Sequence, residues 1–426
     1  MTRPGPDSRR RWAILAAAFA VRMAAIYWTG ANAVAFGDAR DYLETARTIC
    51  EERAYPDRGN LPFFRAPLLP FFIAATTLCH PERIVLVKVA LALCDSVTAL
   101  LVGEIAWLLF ASPRTAVFAA LLAAVNPFFI AGVCDVRTEP LSMLFLTFGV
   151  WLFLGVVRTR GGARALLAGV GFGLSALARP AGLAALIFAT MAFPFMGGPR
   201  KRRWFLAFVM VAGAVATLLP WVLRNAIRYR ELIVVNDAAG INFWRGSHPE
   251  MDRISRIKDP VEYRDAVVAF ETNVAAAAAR KIEAAAGGPR ERSRAWFAAG
   301  LENVRRNPRS AFASAVRRAG RFWCPWLNPQ EYPAGVVALS GILNIALFSL
   351  GSIGLALYRK RDPFVTGWVI ALFVGVWLAH VPNQVVMRFR IPFTDPLLIA
   401  FAAGAVVTLI QLWTPPRVTS LPPTVS

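Results

Sequence analysis

The chain has 426 residues, of which 57% are hydrophobic and only 17% charged, and its apolar residues fall in long uninterrupted runs rather than in helical or strand periods. Runs of that length are membrane-spanning helices, which excludes a string of soluble modules. The formal charge of +21 would point to nucleic acid in a soluble protein, but Lys and Arg gather at the ends of the apolar runs, where they report topology and not a nucleic-acid partner.

The first run, residues 12–30, follows Arg9, Arg10 and Arg11. It is long for a signal-peptide core and lacks a clean small-residue cleavage site, so it reads as an anchor. Further runs fall near 84–110, 115–133, 140–157, 164–178, 181–197, 204–221, 334–357, 363–380 and 392–413, giving about ten spans. Basic clusters at 9–11, at Arg114, at Arg158 with Arg160 and Arg164, at 200–203 and at 359–361 then share one side, the cytoplasm. Between the clusters at 164 and 200 the chain must cross twice. Arg179-Pro180 interrupts the apolar run there, which predicts a hairpin with short arms.

Three pieces face outward: residues 31–83, the turn 133–139 and the long segment 222–333. The long segment predicts helices over 260–285 and 291–321, bounded by Gly-Gly-Pro at 287–289 and interrupted at Asn307-Pro308. The organisation is an N-terminal transmembrane region (1–221) carrying the first outer loop (31–83), an extracytoplasmic helical segment (222–333), and a C-terminal transmembrane region with a short cytoplasmic tail (334–426). No internal repeat is evident. Five scattered cysteines make neither a CxxC pair nor a metal spacing, although Cys50 and Cys79 can pair if their loop lies in an oxidising compartment. His80, His248 and His380, all expected outside, make no metal motif.

An enzyme working at a membrane surface places its ionisable groups at the outer ends of helices, where water reaches them. Asp38 and Asp41 follow the first span three residues apart, on one face if the segment is helical, with Tyr42 beside them. Helix capping would equally explain an aspartate there. Arg65 precedes a proline-rich apolar run and suits phosphate, or a lipid headgroup. Asp135, Arg137 and Glu139 crowd the turn between two spans, and Glu139 also fits the first turn of a helix by its charge. Arg179, Arg388 and Arg390 complete an anion site in outline, against the ordinary alternative of arginines snorkelling at helix ends.

The order of these features resembles the GT-C superfamily of integral membrane glycosyltransferases, in particular bacterial members of glycosyltransferase family 39 and the lipid A aminoarabinose transferases. The resemblance rests on Asp38 with Tyr42, the run Arg65 to Pro70, Glu139-Pro-Leu, Gly173 to Pro180, Pro220 to Asn225, Gly240 to Gly246 and Arg388 to Pro396. The spacing of Asp38 and Asp41 departs from the paired-acid motif of some GT-C enzymes. The resemblance implies an all-α polytopic bundle of about ten or more transmembrane helices with an α-rich extracytoplasmic insertion. It also implies an inverting transfer of sugar from a polyprenyl-phosphate carrier to an acceptor hydroxyl on a lipid, glycan or protein, at the outer face of a bacterial inner membrane.

That chemistry needs a carboxylate to take the acceptor proton, here Asp38, with Asp135 and Glu139 as helpers; Asp38 and Glu139 are the candidate ligands should a divalent cation take part. Asp41, Tyr42, Arg65, Arg137, Arg179, Arg388 and Arg390 are the expected substrate-binding set, its arginines meeting charge that develops on the phosphate. No strand, Gly-rich turn and helix pattern is present, which argues against a nucleotide-sugar donor. The competing class is a multi-pass lipid or glycan transporter or flippase. Such a protein should carry ionisable groups in mid-helix and an internal repeat, whereas the ionisable groups here are read at outer helix ends.

Overall fold

The computed structural model describes residues 7–34, 37–57, 65–383 and 385–413. The expected cytoplasmic tail beyond residue 413 lies outside the described residues, as does Phe64 of the Arg65 motif. The helices are α1 (Ser8–Thr29), α2 (Gly37–Glu52), α3 (Leu68–Thr76), α4 (Ile84–Phe110), α5 (Pro113–Ala124), α6 (Pro127–Cys134), α7 (Glu139–Thr159), α8 (Gly162–Ala178), α9 (Gly182–Ala192) and α10 (Arg200–Tyr229). An extramembrane group follows: α11 (Ala239–Ser247), α12 (Pro249–Ile254), α13 (Pro260–Ala269), α14 (Ala276–Ala285), α15 (Pro289–Arg306) and α16 (Pro308–Phe322). The chain then returns through α17 (Ala334–Arg359), α18 (Pro363–His380) and α19 (Ile391–Trp413).

The all-α polytopic expectation holds. Among the described residues seven helices (α1, α4, α7, α10, α17, α18 and α19) are long and apolar enough to cross a membrane, and α5 with α6 passes the same test as a pair bent by 44°, the geometry of a broken span or a re-entrant loop. The other two expected crossings appear as the apolar arms α8 and α9, turned at Arg179-Pro180 and shorter than the ~20 residues a span requires, so the expected ten spans reduce to seven or eight by length and composition. Local chemistry sets these boundaries. Ser112 accepts a hydrogen bond from the Thr115 amide and Pro113 opens α5; Asn126 accepts from the Phe128 and Phe129 amides and Pro127 opens α6. The proline cannot continue the hydrogen-bond ladder, and the bend falls there.

One expectation needs correction: ionisable groups are not confined to outer helix ends. Arg22 of α1 and Asp95 of α4 are both fully buried and paired at 2.6 Å. Arg22 also donates to the carbonyls of Ala18 and Ala124, at 2.9 and 2.8 Å. The last carbonyls of α5 lose their in-helix donors at the break, and in hydrocarbon they must find another. Arg22 supplies it and Asp95 neutralises the charge, so this pair braces the break between α5 and α6.

Among the described residues the extramembrane helices close over their own apolar cluster, with Trp244 against Phe270 and Trp296 at ring-centroid distances of 5.7 and 4.7 Å. The predicted helix over 260–285 appears as α13 and α14 joined by a π-helical turn, Phe270–Ala275, and the second helix breaks at Asn307 as expected. Cys50 and Cys79 form a disulfide, Cα atoms 5.3 Å apart, tying the end of α2 to the chain just past α3. A bonded pair here agrees with an oxidising, outward compartment.

Candidate active site

The three pieces expected to face outward, with the loop before α19, converge on one cavity of about 610 Å³. Its wall takes Asp38, Asp41 and Tyr42 from α2, Arg65 and Ala66 from the approach to α3, Arg137, Thr138 and Glu139 from the α6–α7 turn, Arg179 from the α8–α9 turn, and Arg388 and Phe389 from the loop before α19. Asn236, Ala238, Asn242 and Arg245 come from the extramembrane segment. Five guanidiniums therefore share one cavity with three carboxylates.

The charged groups interlock. Asp38 accepts from Arg65 and from Arg388, each at 2.8 Å, so one carboxylate spans two arginines more than three hundred residues apart in sequence. Arg65 also donates to Asp41 at 2.5 Å. Glu139 lies 2.8 Å from Arg179 and 3.9 Å from Arg388. Rings hold the guanidiniums in plane: Arg65 sits 5.0 Å over Tyr42, and Phe389 lies between Arg179 and Arg388 at 5.1 and 5.5 Å. Burial pushes the Asp38 carboxyl up, but Arg65 and Arg388 together outweigh it and hold it below its ordinary value, so Asp38 is ionised. Burial dominates at Tyr42 and raises the phenol, which stays protonated.

Asp38 lies in the first turn of α2, yet its carboxylate reaches across the cavity to arginines, and among the described residues it bonds no backbone amide of its own helix. Capping therefore does not account for it. Of the sequence-predicted residues, Asp38, Asp41, Tyr42, Arg65, Arg137, Glu139, Arg179 and Arg388 line the cavity. Asp135 stands behind the wall, 3.1 Å from Arg137. Arg390 is not brought to the cavity: it is fully buried, bonded to Asp395 at 2.9 Å and Asn344 at 3.1 Å, with its guanidinium 4.5 Å over Phe348. One residue, Phe389, separates Arg388 from Arg390 at the tight 3₁₀ turn Met387–Phe389, and that turn points them to different sides.

No group of three or more His, Cys, Asp or Glu side chains converges as a metal site among the described residues. Asp38 and Glu139 are engaged by guanidiniums instead, so a divalent cation would have to displace Arg388 and Arg179 to reach them. The residues present do not fit a preformed metal shell.

The sequence reading missed Thr138, Asn236, Asn242 and Arg245. The last two lie in the Gly240–Gly246 motif, and its glycines explain the signal. A Cβ at Gly240 would collide with the Ser293 carbonyl of α15, and one at Gly246 with the backbone of Pro382 and Asn383. α11 is thus pressed between α15 and the loop that carries Arg388. Arg318 of α16 ties the same junction, donating to the Gly246 carbonyl and to that of Val381.

The chain matches, over residues 64–224, the family model described as dolichyl-phosphate-mannose-protein mannosyltransferase. That stretch, less than half of the chain, includes Arg65, Glu139 and Arg179 and leaves out Asp38 and Arg388. Among solved structures, the oligosaccharyltransferase AglB from Archaeoglobus fulgidus in complex with an inhibitory peptide and a dolichol-phosphate superposes with a TM-score of 0.56 at 18% identity, covering 95% of this chain and 51% of that one. The same enzyme tethered to an acceptor peptide gives 0.57 at 16% identity, with 96% and 51% coverage. This is a GT-C fold. The chain spans about half the length of the oligosaccharyltransferase it superposes on, so the GT-C fold covers nearly all of this chain and only part of that enzyme. ArnT from Cupriavidus metallidurans superposes more loosely, with a TM-score of 0.42 at 15% identity over 96% of this chain and 82% of that one. No curated protein sequence matches the chain.

Proposed function

We propose that the chain is an inverting glycosyltransferase that moves a sugar from a polyprenyl-phosphate carrier to an acceptor hydroxyl on a lipid, glycan or protein at the outer face of a bacterial inner membrane. The observation that carries this reading is the ring of guanidiniums around an ionised Asp38, at the outer ends of apolar helices. The family description names a dolichyl-phosphate sugar, and the oligosaccharyltransferase structure holds dolichol-phosphate. Both agree with a lipid phosphate as the group these arginines meet.

The donor is a phosphodiester with one negative charge, and departure of the carrier adds a second. Arg65, Arg137, Arg179 and Arg388 share the cavity wall with Asp38, and there they stabilise that developing charge, which is the larger demand of the reaction. At rest Arg65 and Arg388 are held by Asp38 and Asp41. A donor phosphate competes for the same guanidiniums, and as they turn toward it Asp38 recovers basicity. The acceptor O–H then gives its proton to Asp38, the acceptor oxygen bonds to the anomeric carbon, and the electron pair of the breaking bond leaves on the carrier phosphate. Tyr42, protonated beside Arg65, orients the guanidinium and takes no proton.

Asp38→Asn tests this. The amide keeps the size of the side chain and loses the charge and the proton-accepting oxygen, so the purified variant should bind undecaprenyl phosphate and fail to transfer sugar, with Asp41→Asn as the neighbouring control. Transfer at the wild-type rate by Asp38→Asn would remove Asp38 as the base and leave Glu139, the other carboxylate facing Arg388.

A further inference from the structure

The extramembrane segment gives the cavity a second kind of chemistry. Asn236 lies just before α11, and Asn242 and Arg245 sit three residues apart on one face of it. The two carboxamides line the cavity, and among the described residues their side chains bond to no protein group. Arg245 is held from behind, 2.6 Å from Glu271, and Glu271 stands on the π-helical turn that interrupts the helix between α13 and α14. Such turns are rare, and they re-aim side chains at functional positions. Phe270, the first residue of that turn, packs against Trp244 of α11, so the turn and α11 form one rigid wall.

We infer that Asn236, Asn242 and Arg245 form the subsite for the hydroxyls of the donor's sugar ring, with Glu271 as the residue that positions Arg245. This deepens the donor reading above and rests on it. A carboxamide both donates and accepts, which a vicinal pair of ring hydroxyls matches, and a guanidinium donates to two oxygens at once. The sugar is joined directly to the phosphate, so its subsite must share the cavity with the phosphate-binding arginines. A volume of about 610 Å³ accommodates a sugar phosphate in one compartment. Among the described residues no hydrogen bond or ion pair holds the Asn236 or Asn242 side chain, which suits both positions to substitution.

The experiment uses the full chain in lipid nanodiscs and measures affinity for bare undecaprenyl phosphate and for undecaprenyl phosphates carrying a hexose, a pentose and an aminopentose. Wild type should bind one glycosylated carrier more tightly than the bare one. Asn236→Ala and Asn242→Ala should keep affinity for the bare carrier within about twofold and lose roughly five- to tenfold of the preference for the sugar, the worth of one or two hydrogen bonds. Glu271→Ala should lose the same preference, and Glu271→Gln, which still accepts from Arg245, should recover most of it; a structural brace alone would leave the ratio unmoved. An unchanged ratio in both asparagine variants overturns the subsite. Failure of wild type to bind bare undecaprenyl phosphate is a different result, since it overturns the donor reading itself.

Discussion

Arg388 is the residue whose removal best separates catalysis from folding. Its guanidinium bonds Asp38 at 2.8 Å and lies 3.9 Å from Glu139, so it touches both carboxylates placed for chemistry. Each carboxylate has a second partner: Asp38 keeps Arg65 at 2.8 Å and Glu139 keeps Arg179 at 2.8 Å. Arg388→Ala therefore strands no buried charge, and folded protein should reach the membrane in wild-type yield. The loss is expected at the transition state. Removing one donor to developing charge costs on the order of a hundredfold in rate, ~2.7 kcal/mol, and Arg388→Lys should recover part of it because an ammonium lacks the two-pronged geometry. A pH arm follows from the same contacts. Arg388 helps to hold the Asp38 carboxyl below its ordinary value; without it that value rises, so the acid limb of the rate profile should move to higher pH. The assay is sugar transfer from a lipid-linked donor across pH 3–8, about the carboxylate range, with size-exclusion chromatography to confirm folded protein. Unchanged kcat/KM in folded Arg388→Ala would refute the leaving-group role, and loss of the folded protein would refute the argument from paired partners.

Three further outcomes are expected. Asp95→Ala leaves Arg22 charged and unpaired inside the bundle and should cost about 3–5 kcal/mol, read as a lowered unfolding midpoint in detergent; Arg22→Met with Asp95→Leu should recover only part, because the Ala124 carbonyl loses its donor. Arg390→Ala should lower stability by unpairing buried Asp395, with bare undecaprenyl phosphate affinity kept in the protein that folds; a selective loss of carrier binding would return Arg390 to the site. In a background without the free cysteines, Asp57→Cys and Asp265→Cys should react with an impermeant thiol reagent in intact cells, and Arg160→Cys and Lys201→Cys should not; labelling at 160 would reverse the orientation and remove the outward active site with it.

The bundle was legible because its signals are local. Apolar length marks a span wherever it occurs, and proline with a capping side chain marks a boundary, as at Ser112-Pro113 and Asn126-Pro127. The pairing of Cys50 with Cys79 was open in sequence, conditional on an oxidising compartment, and the approach of the end of α2 to the chain past α3 decides it. Arg22 and Asp95 were not. Each sits singly in an apolar run, separated by 73 positions, and only the packing of α1 on α4 shows that the two charges cancel.

The site divides along the same line. A carboxylate or arginine at the outer end of a span is a candidate from sequence, and Asp38, Arg65, Glu139, Arg179 and Arg388 were found that way. What sequence does not carry is direction. Arg388 and Arg390 have the same type, the same neighbourhood and the same motif, yet one faces the cavity and the other is buried against Asp395 and Asn344. A guanidinium is excluded from a protein interior unless its donors find acceptors, so the deciding information lay in Asp395, five residues on, and in Asn344 on another helix. Asn236 and Asn242 were missed for the converse reason. An uncharged amide in an extramembrane segment carries no solvation penalty that sets it apart from any surface residue, and the only trace of its placement was the pair of glycines, Gly240 and Gly246, that lets α11 close against α15 and the Arg388 loop. Charge in an apolar context announces a partner without naming it; close approach of backbones names the neighbours, and the site is where the two kinds of constraint meet.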